Sequence, residues 1–139
     1  FACASKYSGK YCVTASVETV NFLNPIEVGE LVTMKASVNY VGHSSMVVGI
    51  RVEAENIRTG EIKHCNSSYF TMVSKDDDGK NAMVPGLILT NLKEVGRFQH
   101  SVRQLALKKE REYQKGIATF GSIESILSSN QYNVKVELE

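Results

Sequence analysis

The chain is predicted to adopt an α+β fold. Four stretches alternate apolar and polar residues, a later stretch spaces its apolar residues as a helix does, and Pro85 marks the change from one pattern to the other. A period of two puts successive side chains on opposite faces of a strand, whereas spacings of three and four keep them on one helix face. With short turns between strands, the first pattern predicts a mostly antiparallel sheet in meander order, one face apolar and the other wetter.

Each element follows from local residues. Phe1-Ala2-Cys3-Ala4-Ser5-Lys6-Tyr7 reads as the back half of a helix. The first strand, about residues 12–20, sets Val13, Ala15 and Val17 against Thr14, Ser16 and Glu18. Asn24-Pro25 interrupts it, and Gly29 closes a loop. In residues 31–41, Val32, Met34, Ala36, Val38 and Tyr40 alternate with Thr33, Lys35, Ser37 and Asn39. Gly42-His43-Ser44-Ser45 is a polar break, after which Val48, Ile50, Val52 and Ala54 line one face of the next strand. Arg58-Thr59-Gly60-Glu61 is a turn, and residues 62–74 form the fourth strand, ending at Asp76-Asp77-Asp78-Gly79.

Beyond Pro85, Leu92, Val95, Phe98, Val102 and Leu105 form an amphipathic stripe over about residues 91–115. Asn91 suits the N-cap, with Glu94 three residues on as in a capping box. Lys108, Lys109, Arg111 and Lys115 load the end where the helix dipole favours cations, and Gly116 suits the stop. In the tail, residues 122–127 read as a short helix and residues 132–136 as a strand.

Composition excludes several classes. A length of 139 residues suits one domain, and 42% hydrophobic content can build its core. Sixteen Lys+Arg against fifteen Asp+Glu leave +1, without the basic excess of a nucleic-acid binder. No apolar run approaches the roughly 20 residues that span a bilayer, so no membrane partner is expected, and the N-terminus lacks a signal-peptide pattern. Cys3, Cys12 and Cys65 are odd in number with no Cys-x-x-Cys pair, so neither a disulfide framework nor a metal site is expected. They fit small thiols in a reducing cytoplasm. The opening at Phe1 reads as a start inside a longer sequence, and Leu138-Glu139 as a cloning scar.

Candidate chemistry is sparse. Asp76-Asp77-Asp78-Gly79 lacks the alternating ligands and distal Glu of a calcium loop, and reads as a solvated hairpin tip. His43, His64 and His100 have no Ser or Cys nucleophile at a recognisable motif spacing. Gly42-His43-Ser44-Ser45 combines a residue that lets backbone approach closely with hydroxyls able to bond an amide or a phosphate. Taken alone, it is either a ligand contact or only a tight strand connection. Lys108, Lys109 and Arg111 either meet phosphates or form a solvated helix end.

An ordered set of motifs narrows these alternatives. Ala4-Ser5-Lys6-Tyr7-Ser8-Gly9, Val13-Thr14-Ala15-Ser16-Val17, Phe22-Leu23-Asn24-Pro25-Ile26-Glu27-Val28-Gly29-Glu30, Tyr40-Val41-Gly42-His43-Ser44-Ser45 and Ser68-Tyr69-Phe70-Thr71-Met72-Val73 follow one another at familiar spacing. Asp78-Gly79-Lys80 and Val84-Pro85 come after them. Over about residues 4–115 the chain resembles the acyl-CoA thioesterases of the hotdog superfamily, the group of small bacterial acyl-CoA hydrolases and the brain-type cytosolic acyl-CoA hydrolase.

The resemblance implies a curled antiparallel sheet around a central helix, most of it preceding Phe1. It places the hotdog domain, with its C-terminal helix, at residues 1–116 and an extension at 117–139. It implies hydrolysis of fatty acyl-CoA to free acid and coenzyme A in the cytoplasm, by homodimers joined as a trimer of dimers, a hexamer. Coenzyme A enters as part of the substrate, with no separate cofactor. The catalytic Asp is expected upstream of Phe1, so no residue of this chain is named as the base. Coenzyme A binding is expected at Gly42, His43, Ser44 and Ser45, with Lys108 and Arg111 toward its phosphates. A hotdog thioester dehydratase and a non-catalytic acyl-CoA-binding regulatory module are the rival readings.

Overall fold

The computed structural model describes residues 1–18 and 20–117, the last three by backbone alone. The elements expected at 122–127 and 132–136, and the Leu138-Glu139 end, lie outside the described residues. The chain forms two compact units, Phe1–Val102 and Arg103–Glu139, and the sheet belongs wholly to the first.

Helix α1 (Ala2–Ser8) ends where glycine permits it to end. Gly9 takes φ 68°, and its amide donates to the Ser5 carbonyl at 2.9 Å. That left-handed conformation burdens any residue with a β-carbon. Along α1, Ala4 and Ser8 are buried, with Cys3 and Tyr7 half-buried beside them. This spacing gives the helix one inward face. Against it pack Cys12, Met46, Val48, Met72 and Val84, which form the main core. Each fully buried Met or Val side chain here contributes roughly 1.5–3 kcal/mol.

Five described strands make one antiparallel sheet: β1 (Tyr11–Val17), β2 (Asn21–Phe22), β3 (Glu30–Val41), β4 (Ser45–Asn56) and β5 (Ile62–Lys75). Their order is β1-β5-β4-β3, with β2 also beside β5. The expected meander therefore holds for β3, β4 and β5 but not for β1. The connections after Val41 and Asn56 are short hairpins between neighbouring strands, whereas β1 and β2 both pair with β5. The long connection through Pro25 instead carries the chain across to the opposite edge. At the β4–β5 turn, Asn56 Oδ1 accepts from the Arg58 and Thr59 amides, and Gly60 takes φ 71°.

Two β-bulges change which residues face inward. In β1 the register shifts between Thr14 and Ser16, and Cys12 is the buried residue, while Val17 is exposed. Val13, Ala15 and Val17 therefore do not share one face throughout: Cys12 rather than Val13 is buried before the bulge, and Val17 pairs with Phe70 after it. In β3 the shift lies between Val38 and Tyr40. Val38 packs on the α1 core, but Tyr40 pairs with Val47 on the other face. An extra residue in a strand reverses the alternation that follows it.

Helix α2 (Leu92–Ile117) begins as its cap predicts. Asn91 Oδ1 accepts from the Glu94 amide at 3.0 Å. The Glu94 carboxylate reaches back one residue further than expected, accepting from Thr90 N at 2.6 Å and Thr90 Oγ1 at 2.9 Å. Those bonds hold the Glu94 carboxyl below its ordinary pKa. Gly116 does not stop the helix, which reaches Ile117; glycine inside a helix costs only about 1 kcal/mol. In the first unit the helix meets the sheet through rings. Phe98 stacks on Tyr40 at 5.9 Å and His100 lies against Tyr69 at 5.0 Å. Ser101 is buried, whereas Leu92 and Val102 of the expected stripe are exposed. Among the described residues no helix is long and apolar enough to cross a membrane.

Candidate functional site

The Gly42–Ser45 segment connects β3 to β4, and long-range hydrogen bonds hold its backbone. The Gly42 amide donates to the Ser45 carbonyl at 2.8 Å and closes the hairpin. The Ser44 carbonyl accepts from Ser74 N at 2.8 Å, and the His43 carbonyl accepts from Val84 N at 3.0 Å. Both inner carbonyls are therefore used within the protein. The turn presents outward the exposed His43 ring and the half-buried Ser44 and Ser45 side chains. Gly42 has no positive φ, so its role is one of space. A β-carbon there would lie 3.0 Å from Ser45 Oγ.

Behind the turn, the segment after β5 is fastened at three points. The Ala82 amide donates to the Ser74 carbonyl at 2.9 Å, Val84 is buried in the core, and Tyr7 OH donates to the Gly86 carbonyl at 2.8 Å. Burial pushes the Tyr7 phenol above its ordinary pKa, so it remains a donor at neutral pH. Ser74, Val84 and Tyr7 were not singled out as site residues in the sequence. Tyr7 and Val84 stood only as members of the matched motifs and Ser74 only as a strand residue, because their partners lie far away in the chain.

Lys108 and Arg111 belong to the second unit, three residues apart on α2 and hence on one helix face. Arg111 is exposed and Lys108 half-buried. His64 Nε2 lies 2.9 Å from the Asn66 carbonyl and 3.0 Å from Ser67 Oγ, so it is engaged by its own strand. Asp76 Oδ1 accepts from the Asp78 and Lys80 amides, which makes that acidic run a hydrogen-bonded hairpin tip. Cys12 and Cys65 are buried and Cys3 half-buried, all as free thiols.

Two further charged groups involve sheet residues. Glu53 bonds Lys35 and pairs with Arg51 at 2.6 Å. The Lys35 hydrogen bond, followed by that from Arg51, lowers its carboxyl to about 2. Glu30 accepts from the Glu27 amide at 2.7 Å and pairs with Lys63 at 2.8 Å, and both bonds lower its pKa. Carboxyls lowered in this way are weak bases, whereas a proton acceptor working at neutral pH needs a pKa raised toward 7.

Residues 1–61 match the family model of the thioesterase superfamily. Protein VdlD of Helicobacter pylori is 40% identical over 126 residues, covering 91% of this chain and 69% of VdlD. Among solved structures, an acyl-CoA hydrolase from Staphylococcus aureus, in complex with butyryl coenzyme A, coenzyme A and coenzyme A disulfide, superimposes with a TM-score of 0.73. It is 30% identical, over 89% of this chain and 73% of that one. The chain belongs to the thioesterase superfamily. A hexameric acyl-CoA thioesterase superimposes at a TM-score of 0.75 with 30% identity, over 78% of this chain and 70% of that one. The α+β architecture is thus the hotdog fold of acyl-CoA hydrolases, and the chain is a member of that enzyme family. Helix α1 lies on the face of the sheet that carries Met46, Val48 and Met72.

Proposed function

We propose that the protein hydrolyses fatty acyl-CoA to a free acid and coenzyme A. The observation that carries this reading is the 30% identity, over 89% of the chain, to a hydrolase solved with butyryl coenzyme A. The chemistry needs a base and an anion hold. A carboxylate on the helix running into α1, upstream of Phe1, would take a proton from water, and the resulting hydroxide would attack the thioester carbonyl. Unpaired backbone amides would hold the oxyanion while the bond to sulfur breaks, and coenzyme A would leave as a thiol by taking up the proton the carboxylate had accepted.

In this reading Gly42, His43, Ser44 and Ser45 bind the coenzyme through hydroxyls and a close backbone approach. Lys108 and Arg111 meet its phosphates, since guanidinium and ammonium groups suit that charge. The working form is a homodimer, further joined as a trimer of dimers. Two features support assembly: the hexameric relative, and β3, an edge strand with exposed Leu31 and Met34. The free thiols suit a reducing cytoplasm.

The decisive experiment follows coenzyme A release by full-length protein with a thiol reagent across acyl-chain lengths. Turnover that disappears when the upstream helix Asp becomes Ala supports the hydrolase and its base together. Binding of coenzyme A esters without turnover at any chain length would replace this reading with that of a non-catalytic acyl-CoA-binding module.

A further inference from the structure

We infer that Tyr7 is a positioning residue for the coenzyme A-binding turn, acting from α1 through the segment Ala82–Gly86. The inference rests on the reading that Gly42–Ser45 contacts the coenzyme.

The connection is continuous. Tyr7 OH donates to the Gly86 carbonyl at 2.8 Å, with the Pro85 carbonyl at 3.4 Å. Two residues before Gly86, the buried Val84 donates its amide to the His43 carbonyl at 3.0 Å. The other inner carbonyl of the turn, that of Ser44, is held by Ser74 N on β5, whose own carbonyl accepts from Ala82 N. One side of the turn is thus fastened to the sheet, and the other to a segment that a phenol on α1 ties down. That segment has no regular secondary structure from Met83 to Thr90. Backbone outside helix or sheet keeps its place only through individual bonds of this kind. Tyr7 packs its ring against the core while its hydroxyl supplies the tie. Removing only that oxygen leaves the packing in place and takes away one of the segment's fastenings, which loosens it. The Ser44 and Ser45 hydroxyls can bond a ligand only while the backbone carrying them stays in register, and the His43–Val84 bond sets that register.

The test uses Tyr7→Phe in the full-length protein with three readouts. Amide exchange at Val84 is expected to accelerate about three- to tenfold, as loss of one neighbouring hydrogen bond implies. Coenzyme A, titrated by calorimetry, is expected to bind about three- to tenfold more weakly. In turnover, KM for acyl-CoA rises while kcat holds. Unchanged exchange at Val84, unchanged coenzyme A affinity, or a fall in kcat at constant KM would each overturn the inference. Failure of the unmodified protein to bind coenzyme A would instead overturn the reading of the turn, and this inference with it.

Discussion

The amide nitrogen of Asn39 occupies the space a side chain on residue 49 would need: a β-carbon built on Gly49 would lie 2.3 Å from it. Tyr69 closes the same space from the side, its Cε1 at 3.3 Å. Asn39 is the extra residue of the β3 bulge and is only 3% exposed, with Oδ1 accepting from Ser37 Oγ at 2.7 Å. Gly49→Ala is therefore expected to destabilise the protein by about 1–3 kcal/mol, as overpacking does. Urea denaturation measures this. In the Asn39→Ala background the same change should cost less, because the clashing amide is gone.

Acid should weaken the sheet where Glu53 sits. Its folded-state carboxyl is lowered to about 2 by Lys35 and then Arg51, against an ordinary value of 4.5. A depressed carboxylate contributes stability that is present above the unfolded value and lost as pH falls through the folded one. Thermal melts between pH 5 and pH 2 should thus fall less steeply for Glu53→Gln than for the unaltered protein. Parallel curves would show that the Lys35 and Arg51 contacts contribute no pH-dependent stability.

The start of α2 should depend on one amide side chain. Asn91→Ala removes the acceptor of the Glu94 amide and should cost about 1 kcal/mol. Amide exchange at Glu94 and Val95 reports it. The Asn91→Asp change, which keeps an oxygen in place, should preserve protection.

Coenzyme A affinity should depend on salt and on α2 if Lys108 and Arg111 meet phosphates as proposed. The double change to Ala should weaken binding about tenfold at low salt, and by less when added salt screens the interaction. Equal affinity for both proteins at low salt would remove these residues from the site.

Much of the architecture was legible because it is locally encoded. Asn91 and Glu94 announce a helix start, Gly60 and Gly79 sit in the turns that require their positive φ, and the alternation along β4 correctly places Val48, Val52 and Ala54 inside. The residues of the Gly42–Ser45 turn were legible too, as polar punctuation between two strands. What held that turn was not: no local pattern joins His43 to Val84 or Tyr7 to Gly86, since each bond exists only after distant segments meet.

By itself, then, the sequence determined the α+β class, the extents of the long strands, the beginning of α2 and the family resemblance, all of which rest on neighbours in the chain. Tertiary structure decided the placement of β1 beside β5, the burial of Cys12, the outward swing of Tyr40 and the choice of Ser101 over Val102. The physical reason is that periodicity constrains each segment only relative to itself. Bulges, strand order and braced turns are fixed by which partner completes the hydrogen bonds and fills the space, and that competition is settled across the whole fold.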